Sequence, residues 1–164
     1  MNTVTVGKHP TGVAVNPATD MVYVANDGSN MTSVIDGKTY TLVKLVPVGG
    51  SGVALDPNRN MVYVSNARDD TVSVIDGKTN SLEDTIIVGN MPVFLAVNPM
   101  TNMIYVANNG GNTISGINGN VKNTVTTNLL IQHPYGLAVN PETNTLYVSN
   151  HDLNVLYVVR NPQS

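Results

Sequence analysis

The chain has 164 residues, no cysteine, a formal net charge of −3 and only 12% charged residues. That length fits one domain with a real core, and the missing thiols exclude disulfide stapling and thiolate chemistry. The scarcity of Lys and Arg excludes a phosphate-neutralising nucleic-acid surface, and no apolar run reaches the roughly eighteen residues of a membrane-crossing helix.

In chain order, the first element is a short apolar strand, Thr3-Val4-Thr5-Val6-Gly7. Its surroundings lack the charged and apolar regions of a secretory signal. The expectation is a cytoplasmic chain, or one whose leader has been removed. A strand at Gly12-Val13-Ala14-Val15-Asn16-Pro17 follows, then Val22-Tyr23-Val24-Ala25-Asn26, then one ending Ser33-Val34-Ile35-Asp36, then the apolar run Leu42 to Val48. The set then repeats. Gly52-Val53-Ala54-Leu55-Asp56-Pro57, Phe94-Leu95-Ala96-Val97-Asn98-Pro99 and Gly136-Leu137-Ala138-Val139-Asn140-Pro141 echo the first strand. Tyr63, Tyr105 and Tyr147 each follow the preceding proline at the spacing that separates Tyr23 from Pro17. Third strands end at Asp76, Asn118 and Arg160, and fourth runs cover Leu82 to Val88 and Val121 to Ile131.

Each unit therefore reads as four strands of β-branched and aromatic residues bounded by Asn-Pro, Asp-Gly and Val-Gly turns, with no capped helical period. Four short antiparallel strands in about forty residues is the repeat of a propeller blade. The first two strands are nearly continuous apolar runs, as expected of a sheet covered on both faces. Charges (Lys44, Glu83, Asp84, Lys122) fall on the fourth run, which belongs at the outer edge, where charge blocks pairing with other chains. The reading is one all-β domain over residues 1–164, a β-propeller of four four-stranded antiparallel blades at about 8–48, 49–88, 89–131 and 132–161. The fourth copy stops after its third strand, and strand 3–7 matches the ends of fourth strands. The N-terminal strand is expected to complete the last blade and close the ring. The alternative is an eight-bladed ring made by two chains that exchange terminal strands, so the expected state is a monomer or a homodimer.

The motif Tyr23-Val24-Ala25-Asn26, with its three echoes, is similar to the YVTN β-propeller repeat, and the similarity covers essentially the whole chain. The resemblance implies a propeller fold and a surface-layer-like or secreted protein at the cell surface. It does not assign a ligand.

In related propellers the ligand face carries the fourth-to-first strand linkers and the loops between strands two and three. All three histidines fall in those segments here: His9, His133 and His151. His9 and His133 hold equivalent places in blades one and four, which adjoin in a closed ring. The binding candidates are therefore His9, His133, His151, Tyr135 (the one tyrosine in its loop class) and the motif residue Asn150. The three histidines are the candidate ligands should a transition metal bind. Acidic loop residues Asp27, Asp69 and Asp70 match no calcium-loop spacing and read as solvated turns. The recurring tyrosines and methionines read as packing, and the recurring asparagines as turn-bonding residues. Asp36-Gly37-Lys38-Thr39 lacks the earlier glycine and the following helix of a phosphate loop.

With no catalytic motif and near-uniform repeats, the expectation is a non-catalytic binding or scaffolding module without a cofactor. Its partner would be a protein or a glycan, with no nucleic acid bound and no membrane insertion. The alternative is a propeller enzyme, similar to the lyases and lactonases built on related propellers, with a site at the channel mouth.

Overall fold

The computed structural model describes residues 2–125, 129–150 and 152–162, with backbone only at Val125. Blade 1 is the sheet β1 (Pro10–Asn16), β2 (Met21–Asn26), β3 (Met31–Asp36) and β4 (Thr41–Val46). Blade 2 is β5 (Val53–Asp56), β6 (Met61–Asn66), β7 (Thr71–Asp76) and β8 (Ser81–Ile87). Blade 3 is β9 (Pro92–Asn98), β10 (Met103–Asn108), β11 (Thr113–Asn118) and the short β12 (Asn123–Val125). Blade 4 has three strands, β13 (Pro134–Asn140), β14 (Thr145–Asn150) and β15 (Val155–Arg160). Strands are antiparallel in sequence order within each blade, and β1, β5, β9 and β13 pack side by side along the inside. The all-β propeller architecture read from the sequence is the one observed.

Alternation within each strand decides which blade face a residue joins. In blade 1, Tyr23 pairs with Ala14 and Val34, while Val22 and Val24 pair with Val15, Val13, Ile35 and Ser33 on the other face. The tyrosine face of one blade packs on the valine face of the next. Tyr23, Ala25, Val34 and Val46 thus meet Val62, Val64 and Ile75. Tyr63, Val72 and Val74 meet Leu95, Ile104, Val106 and Ile117. Tyr105, Ala107 and Ile114 meet Leu146 and Val148. Three tyrosines are consequently almost completely buried, worth roughly 2–3 kcal/mol each from apolar burial. The Tyr23 hydroxyl reaches the next blade and donates to Asn80 Oδ1 at 2.8 Å.

Hairpin turns share one device. Fifteen described non-glycine residues have positive φ, and ten of these are Asn or Asp, the side chains that best tolerate the left-handed region. They close the turn before each following strand: Asp20, Asn60, Asn102 and Asn144 before the second, and Asn30, Asp70, Asn112 and Asn154 before the third. At the motif asparagines the amide ties the same corner. Asn26 Nδ2 donates to Val24 O, Met31 O and Ser33 Oγ, and Asn108 Nδ2 to Thr113 Oγ1 and Ser115 Oγ.

Two details differ from the sequence reading. Residues 2–8 form no strand and do not complete blade 4. They instead precede β1 as Val46–Gly49 precede β5, with Gly7 against Asn26 as Gly89 lies against Asn108. A fourth strand belongs to the blade before the one its linker enters, and among the described residues no blade packs ahead of blade 1. Among the described residues no packing comparable to β1 on β5 joins β1 to blade 4, so the four blades form an open arc. Lys122 lies in the turn before β12 rather than on the strand, and reaches Glu83 of blade 2 as an ion pair.

Burial drives the Tyr63 hydroxyl up to about 12, aided by Asp56 and Glu83 and opposed by Arg59. The unfolded chain releases this proton near pH 10, so the folded form binds it more tightly. Its contribution is intact below pH 10 and is lost as pH rises towards 12. Urea midpoints are expected to fall over that window, and less steeply in Tyr63→Phe. Asn26→Ala leaves two backbone carbonyls and a serine hydroxyl short of a donor and is expected to cost about 1–3 kcal/mol at pH 7. Tyr40 is an exposed aromatic at φ 58°, and Tyr40→Asn is expected to raise stability by about 1 kcal/mol.

Candidate functional site

Both loop sets predicted for the ligand face do share one end of the sheets. Asp27 N donates to His9 O, Gly28 N to Lys8 O, Asn109 N to Met91 O and Gly111 N to Asn90 O. Each linker is thereby laid along the β2–β3-type loop of its own blade. The preceding blade fixes it from the other side, where Asp70 Oδ1 accepts Met91 N–H and Asn112 Oδ1 accepts His133 N–H, both at 2.8 Å. The linker residues His9, Met91 and His133 have φ between 43° and 50°.

Blades 3 and 4 carry the departures from this pattern. His133 Nδ1 lies 3.0 Å from Asp152 Oδ2, both side chains half-exposed. With Nδ1–H donating to the carboxylate, neutral His133 keeps Nε2 as an acceptor, and protonation makes the imidazole a double donor. The corresponding partner of His9 is Gly28, where a Cβ would come within 2.7 Å of the imidazole Nδ1, and that of Met91 is Gly110. Only blade 4 places a carboxylate there. Beside this pair, Tyr135 stands 46% exposed with its ring edge-on to Phe94 of blade 3, centroids 5.1 Å apart and planes at 66°. The neighbouring linker is held by Asn109 Nδ2 donating to Pro134 O at 3.2 Å.

The sequence candidates therefore separate. His133 and Tyr135 fall in one linker on one rim. His9 lies in blade 1, at the far end of the open arc, so the expected adjacency of His9 and His133 does not arise within one chain. Asn150 is buried: Nδ2 donates to Gln132 O, and Oδ1 accepts from Asp152 N and Leu153 N. Its polar atoms hold the loop that carries Asp152. His151 lies outside the described residues. Among those described, no three His, Asp or Glu side chains converge as a metal-binding group. Asp69 accepts from Asn66 Nδ2, and Asp70 serves the blade 3 linker.

Sequence reasoning passed over two participants, Asp152 and Phe94. Asp152 stands where blades 1 and 3 hold Gly28 and Gly110 and blade 2 holds Arg68, and Phe94 stands where the other blades hold Gly12, Gly52 and Gly136. Phe94 is also the chain's one phenylalanine. Aligning the repeats position by position would have exposed both.

A family model for YNCE-like β-propellers matches residues 49–162. The chain belongs to that family. No curated protein matches it. Among solved structures this YNCE-like propeller is similar to the hydrazine synthase of Kuenenia stuttgartiensis, with a TM-score of 0.84 over 98% of the chain at 22% identity. It spans 48% of that chain, about half the length, and the likeness is one of fold.

The His133–Asp152 pair is solvent-facing, so its net contribution to folding is small. Asp152→Ala and His133→Ala are each expected to shift the urea-unfolding free energy by less than about 1 kcal/mol. A larger loss would show that the pair holds the blade 4 loop in place.

Proposed function

We propose that this YNCE-like propeller is a non-catalytic binding or scaffolding module, secreted or displayed at the cell surface, that takes a protein or glycan on the loop rim of blades 3 and 4. The observation that carries this reading is Tyr135, an exposed aromatic ring propped edge-on by Phe94 and flanked by the His133–Asp152 pair. A rigid aromatic face with an imidazole and a carboxylate beside it suits a sugar ring or an extended peptide, because stacking supplies area and the polar pair supplies orientation. Rigid β-sheets beneath exposed loops keep such a face in place without induced ordering. The low content of Lys and Arg supports a partner other than nucleic acid. Similarity of the repeat to YVTN propellers supports the surface location.

A glycan and peptide array probed with the labelled chain is expected to give ligands whose affinity falls at least tenfold, about 1.4 kcal/mol, in Tyr135→Ala. The melting temperature of that variant should match the wild type. Equal binding by Tyr135→Ala would overturn the assignment of the rim.

The second reading, a lyase- or lactonase-like enzyme, is favoured by one observation, the imidazole–carboxylate contact at 3.0 Å, which is the arrangement of a general base. A panel of lactones and uronate esters discriminates the two. Turnover abolished by His133→Ala would replace the first reading with this one.

A further inference from the structure

The two ends of the arc are unpartnered, and each has the shape of half a seam that the chain builds three times internally. On blade 1 the valine face is open: Val13 and Val15 are 65% and 56% exposed, whereas the equivalent Leu95 of blade 3 is 7% exposed. On blade 4 the tyrosine face is open: Leu156 and Val158 are 60% and 54% exposed, whereas Val34 and Val74, equivalent to Val158, are completely buried. Tyr147, half-buried, is the one motif tyrosine without a blade beyond it. Thr145, Arg160, Tyr147 and Val158 line an open hollow on this face.

The polar fastenings of the seam are also present in halves. Internally, Asp70 and Asn112 accept the linker N–H of Met91 and His133. Asn154 is their equivalent in blade 4, with φ 56° against 55° for both, and His9 is the equivalent linker residue, with φ 49° against 50° and 43°. At the other end of the seam, Asn16 Nδ2 donates to Asn60 Oδ1 and Asn98 Nδ2 to Asn144 Oδ1. Asn140 is the equivalent donor of blade 4, and Asp20, at φ 57°, the equivalent acceptor of blade 1. An amide on a carboxylate strengthens that bond. Finally, among the described residues no strand pairs with the outer edge of β15, and residues 3–6 alternate in burial as a fourth strand does without joining a sheet.

We propose that two copies of this chain close one eight-bladed ring, the tyrosine face of blade 4 in each packing on the valine face of blade 1 in the other. Residues 3–6 of each copy pair with β15 of its partner. Both seams are equivalent under a two-fold axis, which closes the assembly and leaves no apolar blade face in water. Eight blades lie within the propeller range. Closure within one chain would bring these two end faces together, and they stand apart and open to solvent in the single chain. The ring brings His9 of one copy beside the His133–Asp152 pair of the other, so the rim at this seam is built from two chains.

Light scattering on the 164-residue chain at about 100 µM, where a standard-sized interface is saturated, reads the result directly. The expected mass is twice 17.4 kDa. A monomer overturns the proposal and assigns the open faces to some other occupant, such as further blades on a longer chain. An open-ended polymer overturns the two-fold ring. Val15→Asp, at a position exposed in the single chain, is expected to give a monomer with the wild-type circular dichroism spectrum, and a persistent dimer would overturn the seam. Asn154→Ala is expected to weaken dimerisation by up to roughly tenfold, consistent with the loss of one hydrogen bond across the seam. Tyr135 lies at a seam internal to the chain, so a ligand on that rim and a ring of two copies stand or fall separately.

Discussion

Everything in this chain depends on one contact, the seating of a tyrosine face on a valine face. Within a single blade neither face has anywhere to go. A four-stranded sheet with apolar side chains on both sides is insoluble by itself, and only a neighbour on each side buries it. The tyrosine is suited to the task because its ring fills the gap between sheets while its hydroxyl reaches a polar partner, as Tyr23 reaches Asn80. The seam therefore sets the spacing of the blades. That spacing sets the curvature of the arc, and the arc decides which loops share a rim.

Loop geometry follows from the same seam. A linker leaving the outer strand of one blade must cross to the inner strand of the next, and it is held from both sides as it crosses. The left-handed residue appears at Met91 and His133, which are held from both sides, and equally at His9, which is held by the loop of its own blade. So a feature resembling local strain goes with the seating of a linker on the β2–β3-type loop of the blade it enters. Side chains at these positions are lifted onto the rim, which is where recognition chemistry belongs in a fold with a rigid frame.

The blades were legible in the sequence because proline and tyrosine recur at fixed separation, and because covered sheets leave continuous apolar runs. The rim was only half legible. His133 and Tyr135 were readable as polar and aromatic residues in linkers. Asp152 and Phe94 were hidden because each differs from the repeat at a glycine position, and the missing side chain of a neighbour carries no hydropathy signal. Asn150 looked like a ligand group but faces inward, since a β2–β3-type corner needs its amide. Closure was misread for a physical reason. The match between residues 3–6 and a fourth strand states what kind of strand it is, and says nothing about whose blade it joins; curvature, which is a property of packed faces, decides that.

The likeness of the three seams raises a question of fidelity that the linkers answer. Chemically, the tyrosine face of blade 2 would fit the valine face of blade 4 nearly as well as that of blade 3. Val88–Met91, between β8 and β9, reaches at most about 17 Å when extended. That suffices for a sheet about 10 Å away, whereas the chain joining blade 2 to blade 4 also contains the whole of blade 3 (residues 88–133). Short tethers thus act as an address: a four-residue linker closes at lower entropic cost than the forty-odd residues that a skipped blade would leave as a loop, so nearest neighbours meet first. A lengthened linker would remove that safeguard while leaving every contact of the finished fold unchanged.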